Sequence, residues 1–313
     1  MTLSKDNQQF EQVAQKLIPQ GRLIRTWKLP GGVSAQVTAL EVERADGQTQ
    51  KMLVRQYGAI DLKCKPYVAA HEFQLLQRLH SQKLLVPMPY YFDQSGEIFS
   101  TSYIVIEYID GKPEFALAHV PGLIPQLAIC LSRIHAVEAS KMDISFLPRQ
   151  EEICTRMLRE RPLHVDESFR EGVIRNVLET VWPFPQHNKS VLLHGDFWPG
   201  NILWRDGQLV AVIDWEDARQ GDPLADLANS RLEILWASGS DAMQRFTQHY
   251  QAMTDIDFSN LPYWDLFAAL RPIAKLAAWC LDEDIEETMR ERHSWFVSQA
   301  FENLHISCRD VYM

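Results

Sequence analysis

The pattern of apolar and polar positions changes about a third of the way along the chain. Before residue 110 the apolar positions form short strand-like runs, and beyond residue 122 they recur at helical spacing. Residues 35–42 and 51–57 predict two strands, joined by a polar turn over Ala45, Asp46, Gly47 and Gln48. Residues 69–80 predict a helix with Phe73, Leu76 and Leu79 on one buried face and Glu72 beside it. The stretch 84–89, Leu-Leu-Val-Pro-Met-Pro, predicts an extended connector, because a residue before proline is pushed out of the helical region. A buried strand is expected over 102–109, ended by Asp110-Gly111-Lys112-Pro113. Further on, 123–136 predicts a helix with Leu127, Leu131 and Ile134 on one face. Ile202-Leu203-Trp204 and the apolar run 209–213 flank a polar segment with Asp206-Gly207, which predicts a β-hairpin. Asp222-Pro223 predicts a helix N-cap with proline at the first helical position.

With 313 residues and 46% hydrophobic content, the chain can build two lobes around one cleft, or one large domain. A formal charge of −10 argues against a nucleic-acid-binding protein. Cys64, Cys130, Cys154, Cys280 and Cys308 are scattered, odd in number and without CxxC spacing, which implies reduced thiols in a cytoplasmic protein and no zinc site. The first twenty residues lack a signal-peptide apolar core, and no apolar run approaches the ~18 residues of a membrane span.

The chemistry concentrates in one window. Residues 194–201 read His-Gly-Asp-Phe-Trp-Pro-Gly-Asn, and Asp214 follows on the far side of the expected hairpin. A hairpin returns the chain to its starting point, so Asn201 and Asp214 are expected to meet at its open end. Adjacent strands lie about 4.8 Å apart, so both oxygens could reach one hard cation. Mg²⁺ favours a few protein oxygens together with waters and phosphates. Asp196, just upstream on a tight loop, is positioned to receive a proton from an attacking hydroxyl. The bland alternative is a surface loop whose Asp and Asn residues form turns and caps.

These residues, with Ile213-Asp214-Trp215-Glu216 and Gly221-Asp222-Pro223-Leu224-Ala225-Asp226, resemble the aminoglycoside phosphotransferase family, which shares the protein-kinase-like fold with choline kinases. The resemblance implies an α+β, bilobal protein-kinase-like fold. A small antiparallel-sheet N-lobe over 1–107 would bind nucleotide, and a larger, mostly helical C-lobe over 108–313 would carry the catalytic loop and the acceptor-binding helices. It implies ATP and Mg²⁺ as cofactors, with Asp196 as the catalytic residue and Asn201 and Asp214 as metal ligands. Asp226 would brace the catalytic loop from within the core, and His194 would brace it through its ring nitrogens.

In the amino-terminal third, Gly31-Gly32-Val33-Ser34 precedes the first predicted strand, and a Gly-Gly loop lets backbone amides approach phosphate oxygens. By the kinase pattern, Arg55 on the second strand would pair with Glu72 and hold phosphate, where the family usually has Lys. Arg keeps the charge and adds a planar donor fork. A surface Arg on an alternating strand is the alternative, with Lys51 or Lys63 as the phosphate holder. The segment from Glu107 resembles the hinge whose backbone accepts adenine.

His135 reads as a satisfied helix-end histidine, and Trp236, Trp264, Trp279 and Trp295 as core. Asp282, Glu283, Asp284, Glu286 and Glu287 read as a solvated helix face; acids turned toward the acceptor would instead attract a cation. The expected partner is thus a small-molecule hydroxyl acceptor, cationic in that second case. Two other functions compete. A protein Ser/Thr kinase is opposed by Trp198, where protein kinases place Lys, and by the seven residues between Asp214 and Asp222, too few for a long activation segment. A nucleotide-binding module without catalysis is opposed by the intact Asp196, Asn201 and Asp214.

Overall fold

The computed structural model describes residues 5–29, 35–118, 120, 122–137, 142–276, 279 and 282–306. The chain divides into two compact units, one of Met1–Gly111 with Ala211–Glu216 and one of Lys112–Val210 with Asp217–Met313. In chain order the first contains α1 (Lys5–Leu17), β1 (Arg22–Lys28), β2 (Ala35–Glu43), β3 (Thr49–Tyr57), α2 (Ala59–Cys64), α3 (Val68–Ser81), β4 (Pro89–Asp93) and β5 (Tyr103–Glu107). Its five strands form one antiparallel sheet in the order β1-β2-β3-β5-β4.

Strand alternation on β3 divides this unit's chemistry from its core. Met52 and Val54 face one side, where Phe10, Val13 and Ala14 of α1 pack with Leu40, Val42, Phe99, Tyr103 and Val105. Burying each such aliphatic side chain contributes roughly 1.5–3 kcal/mol. Arg55 and Tyr57 face the other side, toward α3. Arg55 pairs with Val37 of β2 and Ile104 of β5, so it sits on an interior strand and is itself buried. The apolar face of α3 is Val68, Ala69, Leu75, Leu76 and Leu79, with Glu72 buried among them. Phe73, expected on that face, is half-buried at its flank and stacks on Phe92.

The second unit continues with α4 (Leu123–His135), α5 (Gln150–Arg159), α6 (Glu171–Val181), β6 (Val191–Leu193), β7 (Ile202–Arg205), β8 (Gln208–Val212, ending in the first unit), β9 (Arg219–Gly221), α7 (Pro223–Ser238), α8 (Ser240–Met253), α9 (Leu261–Leu270), α10 (Ile273–Leu276) and α11 (Glu283–Asn303). β7 and β8 form the expected hairpin, and Asp206 and Gly207 both have positive φ (51° and 73°), as a tight primed turn requires. Gln126 fastens this turn by donating to the Gly207 carbonyl at 2.9 Å and accepting from the Leu209 amide at 3.0 Å.

α7 is buried on nearly all sides, so its charged residues Asp226 and Arg231 need partners, and both have them. Arg231 makes two parallel 3.0 Å bonds to Asp265 on α9 and a third, 2.6 Å, to Thr247 on α8. Asp222 caps the helix by accepting from the Leu224 amide at 2.9 Å, with Pro223 in the first turn, as the sequence predicts. Trp236 and Trp264 are core residues, whereas Trp279 and Trp295 are exposed, against the expectation for those two. Among the described residues no helix is long and apolar enough to cross a membrane. Replacing Asp265→Ala strands the buried Arg231 guanidinium, so unfolding free energy should fall by about 3–5 kcal/mol. Urea denaturation measures this, and a loss below about 1 kcal/mol would mean that Thr247 and Gln299 suffice.

Candidate active site

The first unit gathers three carboxylates around one guanidinium. Arg55 donates through Nη2 to Asp214 Oδ1 and to Glu216 Oε2, both at 2.6 Å. Its Nε lies 3.5 Å from Glu72 Oε2, an ion-pair distance without a hydrogen bond. Tyr57 donates its hydroxyl to the same Glu72 oxygen, and the Trp215 amide approaches the other at 3.4 Å. Burial disfavours the charged guanidinium, but Glu72, Asp214 and Glu216 more than reverse this and hold its pKa well above the usual arginine range. Burial raises the Glu72 pKa, and Arg55 only partly offsets it. Burial, with the neighbouring Glu72 charge, also pushes the Tyr57 phenol up, so Tyr57 remains a donor.

Asp214 adopts a left-handed backbone, φ 67°, which Asp tolerates better than bulkier residues. Trp215 follows as a buried anchor whose indole donates to the Val212 carbonyl at 3.0 Å. Val212 is itself tied to the Leu85 carbonyl at 2.7 Å. The short segment 211–216 is therefore fixed on both sides of Asp214.

The second unit contains the loop after β6. Asp226, from the first turn of α7, accepts from the amides of His194 (2.6 Å) and Gly195 (2.9 Å). His135 at the end of α4 backs Asp226, with Nε2 at 3.3 Å, while its Nδ1 meets the Tyr250 hydroxyl at 2.6 Å. Burial pushes the Asp226 pKa up, but the His135 contact, His194 and Arg219 outweigh it and leave the value below the ordinary range. Both expected braces are present, since His194 Nδ1 also receives the Asp196 amide at 3.2 Å.

Asp196 is about one-third exposed. Asn201 donates its Nδ2 to the Asp196 main-chain oxygen at 2.9 Å and to its Oδ2 at 3.1 Å. With the amide nitrogen so engaged, the oxygen of Asn201 is the atom left to face a hard cation. Arg271, just after α9, approaches Asp196 Oδ1 at 3.3 Å. Arg219 lies buried beside this loop and donates to the Gly195 carbonyl at 2.6 Å.

Arg55, Glu72 and Asp214 thus come together in the first unit, and Asp196 with Asn201 in the second. Glu107 stands apart: its carboxylate accepts from the Met88 amide at 3.1 Å, and its own amide donates to the Met88 carbonyl at 2.8 Å. Its side chain is therefore committed to the connector before β4, away from the Arg55 cluster. Gly31, Gly32 and Ser34 lie outside the described residues. Sequence reading missed Glu216, Tyr57, Arg219 and Arg271. Glu216 stood in the quoted motif two residues after Asp214, a spacing that carries no signal by itself. Arg271 is 75 residues from Asp196 and has no local motif.

Asp214 in the first unit and Asn201 in the second each offer a hard oxygen of the kind Mg²⁺ favours, and Asp214 is only one-third exposed on a fixed segment. Among the described residues no three His, Cys, Asp or Glu side chains form a metal cage of their own. Magnesium needs none, because it is usually held by one or two carboxylates plus substrate phosphates.

A model of the phosphotransferase enzyme family, APH, matches residues 29–288. Acyl-CoA dehydrogenase family member 11 of Rattus norvegicus is 24% identical over 251 residues, covering 71% of this chain and 32% of that protein. The chain thus spans about a third of the length of the curated relatives that it matches first. Among solved structures, a thermostable mutant of aminoglycoside phosphotransferase APH(4)-Ia, with AMP-PNP and hygromycin B, aligns at TM-score 0.64 and 16% identity, covering 92% of this chain and 97% of that one. APH(2")-IIia with GDP and kanamycin aligns at TM-score 0.63 and 17% identity, covering 95% and 97%. These likenesses establish the protein-kinase-like fold.

Gly195 tests the rigidity of the loop. Its φ is 82°, and an added Cβ would lie 2.0 Å from the Asp217 carbonyl oxygen. Gly195→Ala should lower stability by at least ~1–2 kcal/mol from the left-handed backbone alone. Thermal and urea unfolding check this, and a variant as stable as the parent would mean that the loop relaxes at no cost.

Proposed function

The chain belongs to the phosphotransferase enzyme family, and on that premise we propose that it transfers the γ-phosphate of ATP to a hydroxyl of a small molecule, with Mg²⁺. The observation that carries this reading is the state of Asp196. Its carboxylate is oriented by the Asn201 amide, partly open to solvent, and mounted on a loop whose amides Asp226 pins.

Arg55 grips the donor phosphates, with Glu72 and Tyr57 fixing its direction from behind. Asn201 and Asp214 are the residues that would hold Mg²⁺, which would supply neutralisation of the donor's phosphate charge. The acceptor oxygen attacks the γ-phosphorus; as that bond forms, the bond to the β–γ bridging oxygen breaks and ADP leaves. The hydroxyl proton passes to Asp196, whose second oxygen stays on Asn201. The protein's contribution is mainly positioning and charge compensation, as for kinases generally. A cytoplasmic location belongs to the same proposal, being the compartment where ATP is abundant and where free Cys64, Cys130 and Cys154 stay reduced.

Asp196→Asn separates this enzyme from a module that only binds nucleotide. The variant should retain Mg-ATP affinity while losing roughly 10²–10⁴ in transfer rate. Calorimetry gives the affinity, and ADP release over a panel of hydroxylated metabolites gives the rate, with GTP run in parallel to test the donor. Unchanged transfer in the Asp196→Asn protein would remove the residue from the chemistry. A wild-type protein that binds Mg-ATP but transfers to nothing would leave only the binding module.

A further inference from the structure

The contact between Arg271 and Asp196 bears on the acceptor. Arg271 Nη2 lies 3.3 Å from Asp196 Oδ1, and both side chains are about 30% exposed, at 29% and 33%. An ion pair this open contributes little to stability, so the fold gains little by holding a cation here. Position is what distinguishes it. Asn201 occupies the other carboxylate oxygen, so a hydroxyl delivered to Asp196 arrives on the oxygen that Arg271 already touches.

We propose that the acceptor carries an anionic group, a carboxylate or a phosphate, close to its reactive hydroxyl, and that Arg271 binds that group. The proposal rests on the reading of Asp196 as the proton acceptor. Arg271 engages Asp196 through one nitrogen, and a guanidinium fork has five N–H donors, enough to hold Asp196 and a planar anion together. The surroundings agree. The Arg219 guanidinium lies behind the same loop. Glu233, half-buried on α7, is pushed up to about 8 by burial and by the Asp196 charge, so near neutral pH it adds little negative charge. The acids that could have drawn a cation are spent elsewhere: Asp282, Glu283, Asp284 and Glu287 are solvated at the start of α11, and Glu286 holds Arg290 at 2.7 Å. There they complement the amino end of their own helix. An ammonium group on the acceptor would instead meet a guanidinium at close range.

Four three-carbon probes separate the possibilities: glycerate, glycerol phosphate, glycerol and serinol, each tested for ADP release beside longer hydroxy acids, phosphate esters, polyols and amino-alcohols. Acceptors should fall in the two anionic classes, and the better of these tells carboxylate from phosphate. For that acceptor, Arg271→Ala should raise KM about 10- to 100-fold, the size of one lost hydrogen bond to a charged group. KM for ATP should hardly move, and Arg271→Lys should recover part of the loss because charge survives without the fork. A thermal melt of each variant separates binding loss from misfolding. Preference for serinol or other amino-alcohols, preference for neutral polyols, or an unaltered acceptor KM in Arg271→Ala would each overturn the inference while leaving phosphotransfer standing. ADP release that no hydroxyl compound stimulates would fail the phosphotransfer reading itself, and this inference with it.

Discussion

One buried positive charge facing three acids organises the first unit. Arg55 is the common partner of Glu72, Asp214 and Glu216, and it sits on an interior strand where water cannot screen it. Removing any such charge from water is costly unless partners compensate. The sheet supplies the position, since strand alternation turns Met52 and Val54 into the core and Arg55 toward α3. Helix α3 supplies the counter-charge, because Glu72 falls in its apolar face and has no better partner than Arg55 and Tyr57. The segment 211–216 supplies the other two acids, carried there by the anchor Trp215. Three acids against one guanidinium leave negative charge over, a condition that attracts a cation.

The second unit is built on a different economy of contacts. There the fixed element is Asp226, which satisfies two loop amides from a helix buried on nearly all sides. The brace draws in His135 and Tyr250, so α4, α7 and α8 all contribute to holding a loop of a few residues. Gly195 is the residue that lets this loop turn so closely past the Asp217 carbonyl. Under the proposed function this preorganisation is what positioning chemistry needs, since the carboxylate of Asp196 would not have to search for its orientation during transfer.

Much of this was legible in the sequence, for physical reasons that differ from residue to residue. The hairpin could be read because Asp206-Gly207 suits positive φ at both turn positions, and the structure uses it so. The Arg55–Glu72 pair was read by laying the kinase pattern on a strand followed by a helix with one acid beside its apolar face. The cap at Asp222 followed from Asp-Pro at a helix start, whereas the brace at Asp226 came from the family resemblance. Periodicity erred in placing Phe73 rather than Leu75 on the buried face of α3, and in taking as core Trp279, between α10 and α11, and Trp295, in the middle of α11, which are exposed. Glu216 and Arg271 could not be found in this way. Each matters through a contact made by the folded chain, Glu216 across 161 residues and Arg271 across 75, and neither leaves a local pattern.

The most direct test of the role assigned to Arg55 is a crystal structure with Mg²⁺ and a non-hydrolysable ATP analogue. With metal and phosphate present, Asp214 should turn from Arg55 to the metal, and the Arg55 fork should lie within about 3 Å of a phosphate oxygen, while its contact with Glu72 persists. An Arg55 still clasped by Asp214 and Glu216, with Lys51 or another cation on the phosphates, would contradict the account.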